Sequence, residues 1–254
     1  MKHYEQMLSL GCFSRRSLAG TLGCGINTAA TTIQQYLKKG YIERVRHDYY
    51  AVISLETKQP ISSRYQIGSG LFPDACISHH SAFEVYGCAN QVFYEVYVTT
   101  NSRFQDFSYD GILYRRLVPK THRFVTHAGP IRLTVMERTV VDSIVDLSKI
   151  AGLEEILRCI LLVPSLNADT LLEVLQEYQN GYLYQKCGLI FEALNDVLGL
   201  PPSFFEKCQA KIPSTRRYLT QGEANQIYYP KWNLYAHKDI KSIIAKGGSL
   251  DDAI

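Results

Sequence analysis

The sequence predicts an α+β protein: an N-terminal winged helix-turn-helix over residues 1–56, a connector at 57–75, and a larger mixed α/β domain over 76–254 that carries a small sheet and turns helical after 137. Three observations lead there. The first 53 residues read helix, glycine turn, helix, then an alternating hairpin. Short alternating or apolar runs bounded by turn residues follow between 94 and 135. From Glu137 onward, apolar residues recur three and four apart.

Tyr4, Met7 and Leu8 have helical spacing and stop at Gly11, which predicts a short first helix. Ser14 is a good N-cap for a second, Arg15 to Leu22, whose Leu18 and Leu22 share one side. Gly23-Cys24-Gly25 breaks it. Asn27 is the expected cap of a third helix over 28–39, with Ala30, Ile33 and Leu37 inward and Gly40 at the left-handed stop. That placement turns Thr28, Thr31, Thr32, Gln35, Lys38 and Lys39 outward. Tyr41 to Val45 and Tyr49 to Ile53 then alternate around a tip at Arg46-His47-Asp48, a hairpin that would form the wing.

The connector is read from Pro60, Gly68, Gly70, Pro73 and several serines, with Tyr65 and Ile67 as residues able to pack. Beyond it, 78–86 is a predicted helix capped by Ser78, and 94–99, 112–118 and 131–135 are predicted strands. Amphipathic helices follow through Val197, until Leu198-Gly199-Leu200-Pro201-Pro202 interrupts them. Arg216-Arg217-Tyr218 and Tyr228 to Trp232 mix basic and aromatic groups in a pattern that serves packing or a partner, and packing is the preferred reading. A last helix is expected over 239–246, then a loose tail.

Net charge is +3, but residues 1–53 hold seven Lys/Arg against three Asp/Glu, an excess of +4, while the rest totals −1. A basic module joined to a neutral domain suits nucleic-acid binding. Gln, Thr and Lys on the third helix match base edges in the major groove. Arg15 and Arg16 suit backbone phosphate at a helix start, and Arg44, Arg46 and His47 on the wing suit an adjacent phosphate or the minor groove. The DNA-contacting set is therefore Arg15, Arg16, Thr28, Thr31, Thr32, Gln35, Lys38, Lys39, Arg44, Arg46 and His47.

Segments 13–19 (Phe-Ser-Arg-Arg-Ser-Leu-Ala), 37–45 (Leu-Lys-Lys-Gly-Tyr-Ile-Glu-Arg-Val) and 49–53 resemble the N-terminal winged helix of AbiEi-type antitoxins of bacterial type IV toxin-antitoxin systems. The resemblance continues through 77–87, 95–100 and 129–142, covering roughly the first 160 residues. The order and spacing of these segments carry it, and none is a catalytic motif. It implies a transcriptional autorepressor that binds repeats in its own promoter and opposes a nucleotidyltransferase-like toxin, with DNA binding at the N-terminus and antitoxin function in the C-terminal domain.

Other classes find less support. No phosphate-loop, dinucleotide or nucleophile-elbow motif is present, so no catalytic residue or cofactor is expected. The alternative is a winged-helix-targeted, metal-dependent nuclease using Asp106 and Asp110, or Glu95 with a nearby Lys. His79, His80 and Ser81 are adjacent in sequence, which disfavours them as base and nucleophile. The seven cysteines, Cys12, Cys24, Cys76, Cys88, Cys159, Cys187 and Cys208, are scattered and predict reduced thiols. A metal held by His79 and His80 with Cys76 and Cys88 is disfavoured, because adjacent side chains point apart. No apolar run is long enough for a bilayer span and the N-terminus lacks a signal-peptide profile, so the expected location is the cytoplasm, with no membrane partner.

Overall fold

The computed structural model describes residues 3–147, 149–222 and 225–246. The protein is α+β. Its contacts separate two compact units: Met1–Ile77 with Phe93–Pro119 and His127–Leu133, and Ser78–Val92 with Lys120–Thr126 and Thr134–Ile254. This division differs from the expected boundaries at 56 and 75.

The first unit opens with α1 (Tyr4–Leu10), β1 (Cys12–Ser14), α2 (Arg15–Leu22), α3 (Ile26–Lys38) and the hairpin β2 (Ile42–Arg46) and β3 (Tyr49–Val52). Ser14 caps α2 in a reciprocal capping box with Ser17. Gly23 takes the left-handed conformation at the end of α2, at φ 61°, and so does Gly40 after α3, at φ 67°. Helix α3 starts two residues earlier than expected and has Gly25, not Asn27, at its N-cap. Strand β1, absent from the sequence reading, pairs with β3 to complete the sheet β1-β3-β2. Tyr4, Met7, Phe13, Leu18, Ile33, Tyr36, Ile42, Tyr50 and Val52 form the local core.

The expected connector is built into the same unit. Residues Arg64–Ser69 form α4, capped by the Ser63 side chain, and Ile67 is buried. Gly68 lies so near Ile77, Val96 and Val98 that a Cβ there would meet them at 3.0–3.2 Å. A six-stranded sheet follows in the order β6-β7-β5-β4-β9-β8, from β4 (Cys76–Ile77), β5 (Glu95–Thr99), β6 (Phe107–Tyr109), β7 (Ile112–Leu117), β8 (Val125–Ala128) and β9 (Ile131–Thr134). It is mixed: β5 runs parallel to β7 and β4 to β9, whereas β4–β5 and β6–β7 are antiparallel. The three expected strands are β5, β7 and β9.

The second unit is mainly helical: α5 (His79–Tyr86), α6 (Met136–Val145), α7 (Gly152–Leu161), α8 (Ala168–Tyr178), α9 (Gly181–Ala193), α10 (Asn195–Leu198) and α11 (Pro202–Gln209). A small sheet, β10 (Arg217–Tyr218), β11 (Gln226–Tyr229) and β12 (Leu234–His237), precedes α12 (Ile240–Lys246). In the basic-aromatic segment Trp232 is fully buried and donates to Glu192 Oε2 at 2.7 Å, whereas Arg216, Arg217 and Tyr218 are exposed, with Arg216 over the Tyr228 ring and Arg217 over the Tyr182 ring. Trp232 reaches that depth because α9 carries Gly188, where a Cβ would fall 2.1 Å from the indole. The expected tail after 246 lies outside the described residues.

The buried charge at Arg138 in this unit is paired, as burial requires. Arg138, 1% exposed, meets Asp142 at 3.2 Å and donates to the Arg123 carbonyl at 2.8 Å. Tyr178 donates to the other Asp142 oxygen. Among the described residues, no helix is long and apolar enough to cross a membrane.

Candidate nucleic-acid interface

Helix α3 buries Ala29, Thr32, Ile33 and Tyr36, not the stripe Ala30, Ile33 and Leu37. The inward face is thus rotated by about one residue, and Tyr36 explains the choice. Its ring packs edge-on against Tyr41 at 5.8 Å and its hydroxyl accepts from the His3 backbone N–H at 3.2 Å, so it has more to gain from burial than Ala30. Thr32 follows it inward. Only 9% exposed, Thr32 donates its hydroxyl to the Thr28 carbonyl at 3.0 Å, which satisfies the polar group inside the core. Thr32 is therefore not a groove-facing residue, a correction to the expected contact set.

The outward face is Asn27, Thr28, Thr31, Gln34, Gln35 and Lys38, with Lys39 at the C-cap, all exposed. Gln34, which the sequence reading left out, belongs to this face because the stripe is rotated. No carboxylate lies on it. The Thr31 hydroxyl donates to the Asn27 carbonyl at 3.1 Å, leaving its methyl and lone pairs outward.

The remaining basic residues divide sharply. Arg16 is exposed on the first turn of α2. Its neighbour Arg15 pairs with Asp48 of the hairpin tip, Nε to Oδ1 3.1 Å, so part of its charge is already engaged. Arg44 and His47 are exposed. Arg46 is not available: a register shift between Arg44 and Arg46 turns it inward, and its guanidinium lies 5.3, 5.3 and 5.5 Å from the ring centres of Phe72, Phe104 and Phe107. Burial lowers its pKa from the ordinary arginine value. Arg46 is a packing residue, the second correction to the expected set.

The carboxylates of the nuclease alternative are engaged otherwise. Arg115 lies between Glu95, at 2.7 Å, and Asp106, at 3.7 Å. Its hydrogen bond holds the Glu95 carboxyl below the usual carboxylate range. Asp106 also accepts from the Arg116 backbone N–H at 3.0 Å, and Asp110 sits at φ 50° in the turn between β6 and β7. Ser78 occupies the N-cap of α5 without capping it, and its hydroxyl instead meets His79 Nδ1 at 2.7 Å. Cys76 lies in β4 and donates its thiol to the Thr99 carbonyl. His80 is turned toward Glu155 and Cys159, which sequence spacing gave no means of joining to it.

No family model matches this chain, and no curated protein matches it. Among solved structures, the RV2827C protein from Mycobacterium tuberculosis is similar, with a TM-score of 0.63 over 94% of this chain and 90% of that one at 13% identity. A likeness at that identity establishes the fold alone.

Proposed function

We propose that this protein is a DNA-binding transcriptional autorepressor of the AbiEi type, acting in the cytoplasm as the antitoxin of a type IV toxin-antitoxin system. The observation that carries DNA binding is the outward face of α3: amide, hydroxyl and ammonium groups without a carboxylate, flanked by the exposed Arg16, Arg44 and His47. Helix, three-residue glycine turn, helix and hairpin is the element order of a winged helix, in which the second helix of the pair enters the major groove. Gln34 and Gln35 would read adenine edges, Thr28 and Thr31 thymine methyls, and Lys38, Lys39, Arg16 and Arg44 phosphate. The antitoxin half of the proposal, with a nucleotidyltransferase-like toxin as its target, rests on the sequence resemblance.

The test is a gel shift of the full-length protein on DNA from upstream of its own gene, against random DNA and across salt concentrations. Retention of the upstream DNA at salt that releases random DNA is expected, with a log–log salt slope of about −4 if the four cations each neutralise a phosphate. Equal retention of both DNAs would overturn the repressor reading, and Mg²⁺-dependent cleavage would favour the nuclease. Co-expression with a nucleotidyltransferase-like toxin tests the antitoxin half by cell survival.

A further inference from the structure

Inside the second unit, α5 and α7 bring together three side chains that seldom meet without a purpose. Glu155 and Cys159 are four residues apart on α7 and so project from one face. His80, from the first turn of α5, faces them. All three are buried, with their donor atoms mutually within 4.8 Å. His80 Nε2 lies 3.1 Å from Glu155 Oε1, and Cys159 Sγ lies 3.5 Å from the same oxygen. A tetrahedral zinc ion with bonds of about 2.0–2.3 Å holds its donors roughly 3.3–3.6 Å apart, so the Cys159–Glu155 edge already has that size and the His80–Glu155 edge, at 3.1 Å, is slightly shorter.

The surroundings match what such a site needs. Glu84 Oε1 lies 3.2 Å from His80 Nδ1, at an i,i+4 spacing on α5 and almost wholly buried. The carboxylate charge beside Nδ1 favours the proton on that nitrogen and leaves Nε2 as the ligand atom. Gln91 donates to Glu155 Oε2 at 3.0 Å and fixes the carboxylate with Oε1 toward the other two donors. Imidazole, carboxylate and thiol in one dry cluster select a borderline-soft divalent ion over magnesium or calcium.

The geometry points to a zinc-class site held by His80 Nε2, Glu155 Oε1 and Cys159 Sγ, with Glu84 and Gln91 as positioning residues. On binding, Zn²⁺ takes the Cys159 sulfur as thiolate and the thiol proton leaves to solvent, so affinity rises with pH. Burial and the Glu155 carboxylate push the free thiol up. The site would tie α5 to α7 independently of any DNA contact.

Full-length protein stripped with a chelator and titrated with Co²⁺ tests it. Stoichiometric binding is expected, with a thiolate-to-cobalt charge-transfer band in the near ultraviolet that Zn²⁺ abolishes. Cys159→Ser should lose the band although the six other cysteines remain. Glu84→Gln keeps all three donors and should bind about 10–100-fold more weakly. Absence of the band in the wild-type protein, its persistence in Cys159→Ser, or unchanged affinity in Glu84→Gln would each overturn the assignment.

Discussion

The outer face of α3 and the interior of the second unit use similar polar groups to opposite ends. On α3 the charges of Lys38 and Lys39 stand in water and touch little of their own chain. Around Arg138 every strong donor or acceptor meets another: Asp142, the Arg123 carbonyl and the Tyr178 hydroxyl close one network. Exposed charge contributes little to stability and is free for recognition, whereas buried charge is committed to the fold. The difference shows that a basic residue can be assigned to a ligand only after its burial is known. Arg46, counted with the first group from sequence, is instead half-buried among three aromatic rings.

That contrast is open to measurement. The largest effect is expected inside: Arg138→Ala leaves Asp142 buried and uncompensated and should cost about 3–5 kcal/mol in denaturant unfolding. A loss below 1 kcal/mol would mean that the pair is solvated. Next, Gln35→Ala should leave folding unchanged but reduce preference for the operator over random DNA by about 1–3 kcal/mol, read by competition gel shift. Gln34→Ala should behave alike if the rotated face is the reading surface.

Arg46→Ala sharpens the comparison. Loss of a guanidinium stacked on three rings should lower stability by about 1–2 kcal/mol, with the salt slope of DNA binding unchanged. Lys39→Ala should do the reverse, reducing that slope by about 1 at constant stability. The same slope loss in both variants would erase the distinction.

The smallest effect concerns Glu95. Arg115 lowers its pKa in the folded state, so the pair contributes stability above the ordinary carboxylate range of about 4.3 and loses it as pH falls through the depressed folded value. Both side chains are partly exposed, which limits the contribution to below about 1 kcal/mol. Glu95→Gln should therefore flatten the acid limb of stability against pH slightly and leave neutral-pH DNA binding as it was.

Legibility followed the range of the interactions. The boundaries of α2, the break at Gly23, the left-handed Gly40, and strands β5, β7 and β9 were readable because each depends on residues within a few positions. Strands β1, β4, β6 and β10 are two or three residues long, too short to show a period. Their structure comes from partners elsewhere, as β1 takes its register from β3. For the proposed recognition surface, helix α3 itself was legible but its rotation was not, since periodicity alone cannot weigh the Tyr36 ring against Ala30 and Leu37. The His80 cluster had no sequence signal, because 75 residues separate the histidine from Glu155.

The sequence by itself determined the class of the protein, the order of its first three helices and hairpin, and the basic excess of its first 53 residues. These follow from capping, periodicity and charge, which act over a turn or two of chain. Only the tertiary structure decided which cations stay in water, that Thr32 and Arg46 turn inward, that residues 64–69 are helix packed on a sheet, and that His80 meets Glu155 and Cys159. Those outcomes depend on which surfaces become buried together, a property of the whole packed unit that no local window of sequence contains.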